Sequence, residues 1–312
     1  MVVMNDLSFS KLDHNIKGIA ALVLGIFIFS LQGVVIKTIG GHYPVLEIVL
    51  LRSLVAMPFT LMFYRMEGKR GLPQTKRMGM EMLRGATQFA SYTFFFMGVA
   101  TLPLATVSAI NYSGPLMITL FSMFLGDRVK PSTMVALLIG FAGVFVVLRP
   151  QDSGLNIGAI FILLSTLTYA IGVILTRMLR SDDSSATMAY FSSLFYLAAA
   201  LLLAPIVWAI GPREGVDPSL AFLLRPWAMP SLLHLSMMLG LGLVWASGMY
   251  FTARAYVLAK TSVVTPFEYT SLLFSTMWGF FIFGDVPAIA TILGALLALA
   301  SGLYILFTEH KQ

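Results

Sequence analysis

Long apolar runs alternate with short charged or Pro- and Gly-bearing stretches from one end of the chain to the other. Taking those stretches as boundaries, the pattern predicts helices at about 16–37, 44–64, 78–101, 103–125, 131–148, 156–178, 186–210, 227–256, 261–283 and 287–308. Runs of about twenty residues cross a hydrocarbon core of ~30 Å at 1.5 Å per residue. Lipid offers no partner to peptide groups, so each run must close its hydrogen bonds within itself. Barrel strands would be shorter, about ten residues, and alternating in polarity. The expected fold is therefore an all-α membrane protein with ten transmembrane helices, here numbered spans 1 to 10.

The two halves of the chain can be laid over one another. A shift of 140 residues places Gly18 on Gly158, Phe29 on Tyr169 and Lys37 on Arg177. A shift of 157 places Gly85 on Gly242, Val107 on Val264 and Tyr112 on Tyr269, and one inserted residue brings Gly126-Asp127 onto Gly284-Asp285. The matches recur in order and at the same depths of five spans, which divides the chain into a repeat over 16–150 and a second over 156–308. Five is odd, so the second repeat must lie upside down relative to the first. Secondary transporters have this architecture, with a site near the midplane between the repeats.

Composition agrees with the bilayer as solvent. Hydrophobic residues make up 58% of the 312, charged residues 11%, and the mean hydropathy is +0.87. The net charge of +6 does not point to nucleic acid, because the basic residues sit in short loops where membrane orientation accounts for them. With the N-terminus inside, 14 Lys and Arg fall on the cytoplasmic side and only Lys37, Arg149, Arg213 and Arg225 outside, leaving Arg52 and Arg84 within spans. The positive-inside rule then predicts a multi-pass protein of a bacterial inner membrane with both termini cytoplasmic. The first apolar run has full spanning length and no small-residue cleavage site, so it reads as a retained helix. There is no Cys, and the four His are scattered, so no metal centre and no cofactor are expected.

Polar residues inside spans carry the candidate chemistry. Arg84, Gln88 and Tyr92 share one face of span 3 at i, i+4 and i+8, lining a cavity or hydrogen-bonding between helices. Arg84 offers a substrate carboxylate two donors, or pairs locally with Glu81 at i−3. Span 4 carries Asn111, Tyr112, Gly114 and Pro115, and span 9 carries Pro266, Glu268 and Tyr269 at the equivalent place. Pro removes a helical hydrogen bond, and broken helices at corresponding positions of two repeats mark a binding site with Gly114, Pro115 and Pro266 as hinges; plain packing is the other reading. An intramembrane carboxylate such as Glu268 must be paired, protonated or wet. It therefore holds a substrate ammonium, a proton, or Arg52 or Arg84 in a structural pair. Trp245 and Tyr250 lie deep in span 8 rather than at the interface, as one side of an aromatic wall or as filling of the bundle. The expected substrate-binding set is Gln88, Tyr92, Asn111, Tyr112, Trp245, Tyr250, Glu268 and Tyr269. Gly240 and Gly242 imitate a dinucleotide fingerprint, but no strand precedes them and the third Gly is missing.

The chain resembles the drug/metabolite transporter superfamily, in its ten-helix EamA-type branch. The resemblance rests on LATVSAINYSGPLMITLFSMFLGDR (104–128), on its partner KTSVVTPFEYTSLLFSTMWGFFIFGD (260–285) and on Arg52. The family pattern usually ends spans 4 and 9 with Gly then Glu, whereas Asp127 and Asp285 stand here. Within the family the chain is similar to bacterial amino-acid exporters, including those for aromatic amino acids. The resemblance implies spans 5 and 10 at the periphery and the other eight around a cavity. It also implies export of amino acids or related small metabolites by alternating access. Gly143 and Gly302 on the peripheral spans suit close helix contact or a homodimer face. An intramembrane enzyme would need clustered His, paired Asp or a nucleophile with its base near the membrane surface, none of which stands out, so the expectation is not an enzyme. A multidrug or other-metabolite exporter of the same fold is the remaining alternative.

Overall fold

The computed structural model describes residues 2–123, 131–148, 156–211, 215, 217–259, 261–264, 267–268 and 270–309, and among these there is no strand. Three single helices come first: α1 (Val2–Ile39), α2 (Val45–Met66) and α3 (Met78–Val99). A broken pair follows, α4 (Leu104–Asn111) and α5 (Ser113–Ser122), then α6 (Pro131–Leu148), α7 (Ile157–Leu179) and α8 (Ser185–Ile210). The short α9 (Pro218–Leu224) precedes α10 (Leu232–Leu258), α11 (Thr261–Val264), α12 (Thr270–Phe283) and α13 (Ile289–Glu309). Among the described residues, six segments are long and apolar enough to cross a membrane: His14–Ile39, Val45–Met66, Leu104–Ser122, Ile157–Leu179, Ser185–Ile210 and Leu232–Leu258. Helix α3 matches α2 in length at 22 residues, but its apolar character is diluted by Glu81, Arg84, Gln88 and Ser91, all of them buried against other helices.

Local chemistry explains where the helices begin. Asn156 accepts from the Gly158 amide at the start of α7, and Ser231 from the His234 amide at the start of α10. Span 8 was expected from 227, yet residues 225–231 are not helical, and α10 begins only behind its Ser231 cap. Pro218 at the first position of α9, capped by Asp217, forms a short helix that the apolar pattern did not predict. Pro115 lacks the N–H that would bond Asn111 O, so span 4 breaks at Tyr112.

The helices pack as a set of pairs. α1 lies along α10 and against α12, α3 lies along α7 and against α8, and α2 lies along both α8 and α10. α4 meets α12, α4 and α5 meet α7, and α6 runs along α13. Close approach needs small residues: a Cβ on Gly242 of α10 would clash with Arg52 O, and one on Gly98 of α3 would come within 2.8 Å of Gly158 O. The main apolar cluster runs from Ile36 and Val49 through Phe96 and Tyr196 to Trp245, with smaller ones around Leu22 and Ile118 and around Leu116 and Leu137. The outer surface is apolar. α6 and α13 sit at its edge, joined by a hydrogen bond from Ser301 Oγ to Ala136 O, with Leu138, Phe145, Leu293 and Leu296 exposed. Such a surface suits lipid rather than water.

Candidate functional site

A cavity of about 170 Å³ opens between the helix pairs. It is of the same order as the ~150 Å³ apolar cavity that takes up a benzene molecule in a protein core, so it has room for a small metabolite or its head group. Unlike that cavity, its walls are mixed. Phe29, Tyr92 and Phe95 supply aromatic surface from α1 and α3, while Ser108, Asn111, Ser165 and Thr166 supply polar groups from α4 and α7. Tyr112 and Pro115 enter from the break between α4 and α5, and Glu268 from the segment between α11 and α12. Residues at the interruptions of both spans therefore line one space. Backbone polar groups freed from a helix at membrane depth find partners in such a place.

Glu268 is the charged group on the wall. Its Oε1 accepts from Tyr169 Oη of α7 at 2.9 Å and also from Tyr256 Oη of α10. Its Oε2 lies 3.9 Å from the point a Gly114 Cβ would occupy, an ordinary van der Waals separation. None of the ion pairs among the described residues includes Glu268; those pairs join Lys37 to Asp285, Arg77 to Asp182 and Arg84 to Glu81. Two phenols orient the carboxylate without neutralising it. An acid so placed is complementary to a cation that arrives in the cavity.

Neighbouring polar contacts hold the walls in register. Ser91 Oγ donates to Ser165 O at 2.9 Å, tying α3 to α7. Thr166 Oγ1 lies 3.0 Å from Asn111 Oδ1, tying α7 to the end of α4. Trp278 Nε1 donates to Ser30 Oγ at 2.8 Å, and the Phe27 and Phe274 rings meet edge to face at 5.2 Å, joining α1 to α12.

The structure gathers Tyr92, Asn111, Tyr112, Pro115 and Glu268 at this cavity and sends other expected site residues elsewhere. Gln88, one turn before Tyr92, packs its amide over Gly172, and its backbone carbonyl accepts from Tyr196 Oη. Trp245 is buried with its ring 4.8 Å from that of Tyr196. Tyr250 stacks on Phe63 at 4.7 Å, and its hydroxyl accepts from Arg254. None of the three borders the cavity. Pro266 and Tyr269 lie outside the described residues. Arg84 does not reach the cavity either: its Nε pairs with Glu81 at 3.1 Å, and its Nη2 donates to Met188 O and Ser192 Oγ.

Gln32, Tyr169 and Tyr256 also belong to this site, and no motif in the sequence marks them. The internal repeat carried a signal for one of them, since the matched pair Phe29 and Tyr169 both line the cavity.

Residues 16–149 match the family described as the EamA-like transporter family. The chain is 23% identical to the S-adenosylmethionine uptake transporter of Rickettsia prowazekii (strain Madrid E), over 99% of this chain and 97% of that one. It is 28% identical to the pseudopaline exporter CntI of Pseudomonas aeruginosa (strain UCBPP-PA14), over 92% and 94%. Its fold superposes on a crystal structure with a TM-score of 0.63 at 19% identity, covering 93% of this chain and 96% of that chain.

Proposed function

Residues 16–149 are an EamA-family domain in a chain whose homologues are transporters of the drug/metabolite type, and from that premise we propose a secondary transporter of amino acids and related amine-bearing metabolites. The observation that carries the proposal is Glu268: a carboxylate on the cavity wall, oriented by Tyr169 and Tyr256 and given no cation among the described residues. A substrate ammonium fills that place.

Alternating access follows from two inverted five-helix halves, residues 16–150 and 156–308, rocking about the cavity. The helix pairing supports this reading. Exchanging the first five spans with the last five turns α1 on α10 into α7 on α3, and α2 on α10 into α8 on α3. It turns α1 on α12 into α7 on α4 and α5, and α2 on α8, α4 on α12 and α6 on α13 each return to themselves. All of these pairs occur. A pattern unchanged by exchange belongs to a two-fold pair, and with five spans in each half the axis lies in the membrane plane. Gly114 and Pro115 give span 4 a point of bending as the halves move.

The 14 to 4 bias of Lys and Arg supports an inner-membrane orientation with both termini cytoplasmic; reporters placed after Gly71 and after Lys311 should score inside, and one near Gly215 outside. A site offered alternately to both faces works in either direction. Export is then set by the solute gradient or a coupled ion rather than by the cavity.

Counterflow into proteoliposomes tests the proposal. Labelled amino acids should exchange without chemical change, and analogues with the amine replaced by hydroxyl should exchange at least about tenfold more slowly, the size of a lost charge-assisted hydrogen bond. Equal exchange of amine and hydroxyl analogues, or none of either, would contradict it.

A further inference from the structure

Arg52 is a second charge beside this cavity that no acid among the described residues balances. It is 1% exposed, and none of the ion pairs among the described residues includes it. Four rings enclose its guanidinium, with centroids at 5.0 Å for Phe96 and Tyr196, 5.5 Å for Tyr92 and 5.7 Å for Trp245. Faces of aromatic rings stabilise a cation but carry no net charge. Toward the cavity, Arg52 Nη1 donates to Gln32 Oε1 at 3.0 Å, while Nε and Nη2 have no hydrogen-bond partner among the described residues.

That one bond determines how Gln32 faces. The oxygen and nitrogen of a side-chain amide are hard to tell apart by shape, but a guanidinium can only donate, so the oxygen must be the atom turned to Arg52. The NH2 group is then carried on the other branch of the amide, and Gln32 is a wall residue of the cavity. Polarisation passes along hydrogen-bond chains, so an amide whose oxygen is held by a cation is a better donor at its nitrogen.

We propose that Gln32, with Arg52 behind it, is the anion subsite of the cavity and takes the carboxylate of a zwitterionic substrate whose ammonium group is held by Glu268. The proposal rests on the transporter reading above and narrows it from amines to zwitterions. Glu268 stands on the wall and Arg52 one residue behind it, opposite in sign and each without an ionic partner among the described residues. A zwitterion supplies both missing partners in one molecule, and its binding relieves the cost of keeping each charge at membrane depth. An amine without a carboxylate satisfies only Glu268. The ring cage gives the selectivity its rigidity, because Tyr92 both packs on Arg52 and lines the cavity, holding the charge at a fixed place behind the amide.

Gln32→Glu is the discriminating variant. It keeps the shape and an oxygen for Arg52, and replaces the NH2 group with a carboxylate oxygen. The probes are labelled L-phenylalanine and L-methionine, each beside the amine that remains when its carboxylate is removed, in counterflow with purified full-length protein. The wild type should prefer the amino acids. In Gln32→Glu their exchange should fall about tenfold or more, the amines should stay within about twofold or rise, and the melting temperature should hold. Gln32→Leu, which removes donor and acceptor together, should lower the amino acids in the same way and serves if the first variant is not recovered. Equal loss of amino acids and amines, or no loss of either, would overturn the anion subsite and leave the transporter reading standing. A wild type that exchanges neither class would overturn both.

Discussion

Glu81 and Glu268 are two carboxylates of this chain whose surroundings differ. Glu81 on α3 is fully buried and faces Arg84 one turn away at 3.1 Å; the arginine also reaches Met188 O and Ser192 Oγ of α8. That cluster ties α3 to α8 and does not border the cavity described above. Glu268 has two tyrosine hydroxyls, no cation among the described residues, and open space in front of it. An ionisable group within a span therefore does not mark a site by being there. On the proposed function, the absence of a balancing charge next to a space a ligand can enter separates the acid proposed to bind substrate from the paired one.

Breaking the closed pair should have the largest effect. Arg84→Met leaves Glu81 buried without its cation and should cost about 3–5 kcal/mol of stability, seen as a lower melting temperature in detergent. Whatever protein survives should keep its order of preference among solutes. A changed order with unchanged stability would erase the distinction between the two acids.

A smaller effect is expected at the open one. Tyr169→Phe removes one of the two donors that orient Glu268, and a hydrogen bond to a charged group is worth about 1.5–3 kcal/mol, an upper bound here because Tyr256 remains. Counterflow of amine-bearing solutes should fall several-fold, and exchange of hydroxyl analogues should not. Loss of both alike would make Tyr169 a packing residue.

The smallest effect belongs to a third kind of charge, the pair of Lys37 at the end of α1 with Asp285 just beyond α12. Their side chains are 20% and 24% exposed, and water competes for both. Lys37→Ala should change stability by about 0–1 kcal/mol. A drop as large as that of Arg84→Met would show that exposure does not rank these pairs.

Much of this arrangement is legible in the sequence. Pro131–Leu148 has the boundaries expected of span 5, because a proline and a charged loop delimit it, and the break of span 4 follows from the chemistry of Pro115. Glu268 stood out as a lone acid in an apolar run. What periodicity could not give is depth. Arg84, Gln88 and Tyr92 share a face of α3, yet only Tyr92 reaches the cavity, because the face runs the whole thickness of the bundle and the cavity occupies part of it. The cage around Arg52 was equally out of reach: its rings come from α3, α8 and α10, and no local spacing records which helices meet. The tie between Gln32 and Arg52 spans two helices and is hidden for the same reason.

The most direct measurement is made on purified Glu268→Gln, reading counterflow of labelled amino acids and melting temperature on the same preparation. The glutamine keeps the shape and an oxygen for the two tyrosines and removes the charge. Amino-acid exchange should fall about 10- to 100-fold, the equivalent of a charge-assisted hydrogen bond, while the melting temperature stays at the wild-type value. Full exchange by a variant of lowered stability would contradict the account and make Glu268 a structural acid like Glu81.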